Sequence, residues 1–340
     1  MKYRIAINGY GRIGRCVLRA LYESPCKNTL EIVAINELAD AQTIAHLTRY
    51  DSTHGRFAGD VKLQGETLIV EGRPIKITHQ QDHAKLPWRE NNVDLVLECS
   101  GSFSDRAGAE KHLKSGAKKV LFSQPAEPDV DATIVCGINE NSLTDADTII
   151  SNASCTTNCV VPVIHCLDEA LGVKMGHIST IHSAMNDQPV IDAYHHTDLR
   201  RTRSAGISII PVETALAKGI GRILPALTDK FSATALRVPT VNVSIIELTV
   251  LVTKKTTAAE VNQILLQASQ AKLSGIMGFT DELLASCDFN HDPRSAIVDG
   301  GQTCVTEGNL VKVMAWFDNE WGFANRMLDV ANVIKDVSKH

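Results

Sequence analysis

The chain has 340 residues, 44% of them hydrophobic and 21% charged, with a formal net charge of -5 at pH 7. The length exceeds the roughly 250–300 residues that one hydrophobic core serves, so two domains are expected, and the apolar content excludes a disordered tail. Lys and Arg number 34 against 39 Asp and Glu, which leaves no basic excess to recruit nucleic acid or an anionic membrane. No apolar run reaches the roughly 18 residues of a membrane helix. Met1 to Asn8 run into a turn at Gly9 before a secretory apolar stretch develops. Nine cysteines lie scattered through the chain, with no Cys-x-x-Cys pair and no His/Cys cluster. The expectation is a reduced, cytoplasmic protein without a metal site.

In chain order, a β-branched run at Tyr3 to Asn8 leads into Gly9-Tyr10-Gly11-Arg12-Ile13-Gly14, a helical pattern from Gly14 to Tyr22 and a second strand from Leu30 to Ile35. Between a strand and a helix, a G-x-G-x-x-G stretch is informative. Gly9, Gly11 and Gly14 allow a tight turn and let backbone N–H groups approach a pyrophosphate at the positive end of the helix dipole. About 20 residues on, Glu37 ends the second strand, where a carboxylate accepts hydrogen bonds from an adenosine ribose and favours NAD over NADP. The competing reading is a plain turn with a solvated Glu37. Further strands at Asp94 to Glu98 and Lys119 to Phe122 extend the alternation and predict an α/β fold on a Rossmann-type, doubly wound parallel sheet.

From about Ser151 longer alternating runs appear, at Lys174 to His182, Ala235 to Val238, Ser244 to Lys254 and Leu310 to Phe317. They predict an α+β domain with a mainly antiparallel sheet. Met327, Val330, Ala331, Ile334 and Val337 recur at helical spacing. The C-terminal helix, 320–340, is therefore expected to join a first domain at 1–153, leaving a second domain at 154–319.

Ser151-Asn152-Ala153-Ser154-Cys155-Thr156-Thr157-Asn158-Cys159 joins a strand end at Ile149-Ile150 to a helical pattern closed by Gly172, which Pro162 is expected to kink. Cys155 falls at that helix's N-terminus, where unsatisfied N–H groups and the dipole favour a thiolate. Ser154 and Thr156 add hydroxyls for capping or for oxyanions, while Cys159 reads as a small core hydrophobe. Taken alone, a cysteine at a helix start is more often structural than reactive. A thiolate nucleophile needs a base, and His182 ends the next strand. One histidine among 12 is by spacing alone more often a surface residue. His195-His196 reads as an exposed loop pair, and Asp198 to Arg203 as a basic cluster able to clamp a phosphate or lie solvated. Arg237, alone in the apolar strand Leu236-Arg237-Val238, asks for an anion.

These segments resemble the glyceraldehyde-3-phosphate dehydrogenases: Asn8 to Arg15 is similar to their nucleotide fingerprint, Ser151 to Cys159 to their active-site signature, and Arg237-Val238-Pro239-Thr240 and Asp318-Asn319-Glu320-Trp321-Gly322 to later segments in the same order. Within the family the resemblance is closer to the branch acting on erythrose 4-phosphate, through Ile181 to Gln188, Val190 to Tyr194 and Asp318 to Arg326. Met185 stands where many members carry a phosphate-binding threonine, Ala215 where a glycine is usual, and Gln81 where an arginine commonly lines the adenine side. The resemblance implies Cys155 as nucleophile and His182 as its activator. It implies Ser154, Thr156, Arg201, Thr214, Ala215 and Arg237 as holders of substrate oxygens and phosphate, and Arg12, Ile13, Glu37, Ser123 and Asn319 as cofactor contacts. It further implies NAD-dependent oxidation of D-erythrose 4-phosphate to 4-phosphoerythronate through a hemithioacetal and a thioester that water hydrolyses, in pyridoxal phosphate biosynthesis, by a homotetramer. The alternatives are a phosphorylating glyceraldehyde-3-phosphate dehydrogenase and a non-catalytic NAD-binding regulator.

Overall fold

The computed structural model describes residues 2–195 and 198–338. They divide into two units, residues 1–154 with 323–340, and residues 155–322. His196 lies outside the described residues.

In the first unit nine strands form one sheet in the order Ala132–Thr133, Ile149–Ser151, Lys119–Phe122, Leu95–Glu98, Tyr3–Asn8, Leu30–Asn36, Arg73–Thr78, Thr67–Val70, Val61–Gln64. The first seven are parallel and the last two add an antiparallel meander. Leu95–Glu98 and Lys119–Phe122 are buried along their whole length, as parallel strands covered on both faces are. Thr67–Val70 buries only Leu68 and Val70, the alternation of a strand with one wet face. The meander is absent from the sequence reading. Its turn uses Glu71 and Gly72, both at positive φ (51° and 75°), and Glu71-Gly72 lacks the Asn-Gly or Asp-Gly signature of such hairpins. The helix Arg12–Glu23 starts two residues before the predicted Gly14. Of the terminal helix Trp321–Val337, the part in this unit buries Met327, Leu328, Val330, Ala331 and Ile334, while Asn332 accepts from the Thr29 hydroxyl at 2.7 Å.

In the second unit seven strands run in the order Ile210–Val212, Phe231–Arg237, Val173–His182, Ser244–Val252, Leu310–Phe317, Ala296–Thr306, Met277–Thr280. Four of the pairings are antiparallel and two parallel. Leu310–Phe317 buries Val311, Val313, Ala315 and Phe317 and not the residues between, so one face of the sheet is the core face. The helices Cys155–Leu171 and Ala258–Gln270 pack on that sheet and on each other. Cys155–Leu171 runs through Pro162 as one 17-residue helix. Residues 157 to 164 are buried all round, and that packing offsets the lost backbone hydrogen bond. Among the described residues no helix is long and apolar enough to cross a membrane.

Candidate active site

Cys155 is the first residue of its helix, and its Sγ lies 3.6 Å from His182 Nε2. His182 closes the strand Val173–His182, and parallel pairing with Phe231–Arg237 sets Arg237 beside it, on the same face. Nδ1 of His182 donates to the Ser183 carbonyl at 2.8 Å, which leaves Nε2 as the proton acceptor facing sulfur. His182 is 6% exposed, and burial, followed by the charge of Arg237, pushes its pKa down to about 4. Burial also pushes the Cys155 thiol up, while the Thr156 hydroxyl, the Arg237 charge and the backbone amides of Thr156 and Cys155 pull the other way. The net direction is up. The helix N-terminus favours the anion, as expected from the sequence, but desolvation outweighs it. Both shifts favour the uncharged forms, thiol and neutral imidazole. Proton transfer from Sγ to Nε2 then accompanies attack on a carbonyl carbon. Cys159 is fully buried, as a core residue.

Arg237 is the anion-seeking group of the site. Among the described residues its buried Nη1 has no hydrogen-bond partner, and burial lowers its pKa even though Asp187 and Cys155 act to raise it. A buried guanidinium N–H left open beside a nucleophile is a ready donor for a phosphate or carbonyl oxygen. Arg201 is held differently: Nη1 donates to Asp187 at 2.9 Å and Nε lies 3.4 Å from Asp198. Sequence reasoning placed Arg201 in the cluster Asp198 to Arg203 without foreseeing its pairing with Asp187 or Asp198. Thr156 Oγ1 lies 4.0 Å from Cys155 Sγ. Thr214 and Ala215 are exposed at the start of the helix Leu216–Ile223, where the Thr214 hydroxyl accepts from Leu216 N. Among the described residues no hydrogen bond joins them to Cys155, His182 or Arg237. Met185 is 44% exposed and its amide donates to the Gln188 side chain. His195, expected exposed, is half-buried and its Nδ1 accepts from the Asp198 amide, because the 198–202 turn folds back over it.

Asn319 is buried at 8% exposure, and its Oδ1 accepts from two hydroxyls, Ser183 Oγ at 3.0 Å and Ser244 Oγ at 2.9 Å. Neither serine was singled out in the sequence. They are 136 and 75 residues from Asn319, so no local spacing announces them.

The nucleotide residues lie in the first unit. Gly9 has φ 87°, and a Cβ there would meet the Ser100 backbone at 2.5 Å; one on Gly14 would meet the Gly9 carbonyl at 2.4 Å. A Cβ on Gly11 would meet nothing within 4 Å. Gly9 therefore shapes the turn, Gly14 seats the helix on the strand, and Gly11 keeps open space over a helix start that no side chain caps. That cradle fits a pyrophosphate. Ile13 stands in the first turn of the same helix. The Arg12 guanidinium forms a bidentate pair with Asp51, holding that carboxyl well below its usual range, so its side chain is committed within the protein. Glu37 accepts from the Tyr10 amide at 2.8 Å and so straps the glycine loop to the end of the second strand. Ser123 follows the strand Lys119–Phe122, and its amide donates to the Glu98 carbonyl. Gln81 lines a cavity of about 690 Å³ with His83, Ser102 and Phe103.

Residues 3–106 match the glyceraldehyde 3-phosphate dehydrogenase NAD binding domain, and residues 154–319 match the C-terminal domain of the same family. The first match takes in Gly9, Gly11, Gly14 and Glu37, and the cofactor of that domain is NAD. The second takes in Cys155, His182, Arg237 and Asn319.

Proposed function

Because the chain belongs to the glyceraldehyde 3-phosphate dehydrogenase family, we propose that this NAD-dependent dehydrogenase oxidises D-erythrose 4-phosphate to 4-phosphoerythronate, a precursor for pyridoxal phosphate synthesis, in the cytoplasm. The observation that carries the reading is the approach of Cys155 Sγ to His182 Nε2 beside the open Nη1 of Arg237. Cys155 adds to the aldehyde carbon, His182 takes the thiol proton, and the new oxyanion is steadied by the amides at the helix start. The product is a hemithioacetal on Cys155. The glycine cradle at Gly9, Gly11 and Gly14 would hold NAD, which would supply the hydride acceptor, and the sulfur of Cys155 would carry the resulting acyl group as a thioester. His182 gives up the thiol proton to solvent and, neutral again, serves as base toward the water that releases the acid. Arg237, with Arg201 once the substrate competes with Asp187, holds the phosphate, and Ser154, Thr156, Thr214 and Ala215 complete the set of oxygen contacts. Met185 supports the four-carbon substrate over the three-carbon one, since a thioether cannot donate to phosphate as a threonine hydroxyl does.

The working form is a homotetramer in this reading. Val190, Ile191, Leu199, Ile207 and Ile209 leave an exposed apolar stretch that a second copy of the chain would cover. The deciding experiment is NADH formation from erythrose 4-phosphate and from glyceraldehyde 3-phosphate, each with and without inorganic phosphate. Higher kcat/KM on the four-carbon sugar without phosphate is expected. Phosphate-dependent turnover favouring the three-carbon sugar would make this the phosphorylating enzyme of the family. No turnover on either, with NAD still bound, would point to the non-catalytic regulator.

A further inference from the structure

We propose that Glu98 is a positioning residue for the dinucleotide: its buried carboxylate gathers Asn8, Ser100 and His112 and so sets the turn at Gly9 that meets the pyrophosphate. The inference rests on the reading that the turn Gly9 to Gly14 holds the pyrophosphate. Glu98, Asn8, Asn36 and Thr78 are each the last residue of a strand. Strand register sets Asn8 opposite Glu98 on one side and Asn36 on the other, with Asn36 opposite Thr78. Four polar side chains therefore stand in a row across the carboxyl ends of four adjacent parallel strands, the edge at which open α/β sheets take their ligands. Glu98 and His112 are fully buried, and Asn8 and Asn36 nearly so.

Two fixed ends dictate the direction of the hydrogen bonds along the row. At one end the Gln80 amide donates to Asn36 Oδ1 and the Gln80 carbonyl receives Asn36 Nδ2, both at 2.9 Å. Asn36 Nδ2 then also donates to Asn8 Oδ1 at 2.8 Å, so Asn8 turns its Nδ2 to Glu98 Oε2, at 2.6 Å. At the other end the Trp88 indole N–H, which can only donate, meets His112 Nδ1 at 2.9 Å. His112 is thereby neutral with its proton on Nε2, which donates to the same Glu98 Oε2 at 2.9 Å. Glu98 Oε1 receives the Ser100 amide at 2.8 Å and the Ser100 hydroxyl, whose oxygen receives the Ser102 amide. Four donors converge on two oxygens and leave no place for a carboxyl proton, so Glu98 is a buried anion held by its donors. The row grips the turn directly: the Cys99 amide donates to the Asn8 carbonyl at 2.7 Å, and the Gly9 amide to the Asn36 carbonyl at 2.9 Å. Ser100, held by Glu98, supplies the backbone against which a Cβ on Gly9 would strike. Glutamine at position 98 keeps the shape but sets donor against donor either way round, facing Asn8 Nδ2 and His112 Nε2 or facing the Ser100 amide.

The test is calorimetric titration of the whole protein with ADP and with adenosine, which differ by the pyrophosphate alone. In Glu98→Gln the dissociation constant of ADP should rise by about ten- to a hundredfold, the scale of one hydrogen bond to a charged group, and that of adenosine by less than about twofold. His112→Leu should act in the same direction. His112→Gln, whose amide can receive from Trp88 and donate to Glu98, should bind ADP as the wild type does. Combining Glu98→Gln with His112→Leu should add little to Glu98→Gln alone, because both act through one carboxylate. A Glu98 that only stabilises the fold would lower the melting temperature and leave the preference for ADP over adenosine unchanged, which would overturn the proposal. So would full additivity of the two substitutions. If Glu98→Gln fails to fold, the two His112 variants carry the same comparison. A wild-type protein that binds ADP no more tightly than adenosine would refute the pyrophosphate reading itself, whereas a wild type that prefers ADP and a Glu98→Gln protein that keeps the preference would refute the role of Glu98 alone.

Discussion

Replacing His182 by Asn removes the base beside Cys155 and, with it, a buried imidazole that resists protonation. Burial first, and then the Arg237 charge, push the His182 pKa from 6.5 down to about 4. A depressed histidine holds its proton more weakly in the folded chain than in the unfolded one. Its contribution is therefore fully present above pH 6.5 and is lost as pH falls from 6.5 toward 4. That gap, at about 1.36 kcal/mol for each pH unit, amounts to about 3 kcal/mol by pH 4 and below. Asn gains no proton, so His182→Asn should lose less stability than the wild type on acidification. Urea unfolding followed by tryptophan fluorescence at about pH 7 and about pH 4.5 should show a difference of roughly 2–3 kcal/mol in that loss. The same neutral pair places the acid limb of kcat/KM near pH 4, and the variant should lose about 10²–10⁴-fold in kcat. An acid limb between about pH 6 and 7, or equal acid sensitivity in both proteins, would refute the neutral thiol–imidazole pair.

Arg237→Met should raise KM for the sugar phosphate by about ten- to a hundredfold while leaving urea stability unchanged or higher, because it removes a buried donor that the protein itself does not satisfy; a clear loss of stability would show the guanidinium to be structural. Gly9→Ala and Gly11→Ala should part company: the first, with its Cβ against the Ser100 backbone at φ 87°, should lower the melting temperature, while the second should keep it and weaken NAD binding, as calorimetry of each would reveal. Glu37→Gln should weaken NAD about tenfold and narrow the preference over NADP, measured as the ratio of kcat/KM for the two dinucleotides. An unchanged ratio would leave Glu37 its structural bonds to the Tyr10, Leu38 and Ala39 amides.

Much of the site was legible along the chain where function rests on neighbours in sequence. Gly9 to Gly14 between a strand and a helix, Glu37 at the next strand end and Cys155 at a helix start are local patterns, and local sterics and dipoles act on them whatever packs around. The parallel and antiparallel sheets were readable for a similar reason, since a strand covered on both faces is apolar throughout and one with a wet face alternates. The meander at residues 61–78 escaped notice because its turn at Glu71-Gly72 carries no strong hairpin signal. Tertiary structure alone decided the direction of the Cys155 and His182 pKa shifts, because desolvation depends on what covers a group and not on its place in a helix. It also decided the partners of the charged and amide side chains. Arg12 meets Asp51, Arg201 meets Asp187, and Asn319 meets Ser183 and Ser244, contacts that span 14 to 136 residues and exist only once the strands have paired.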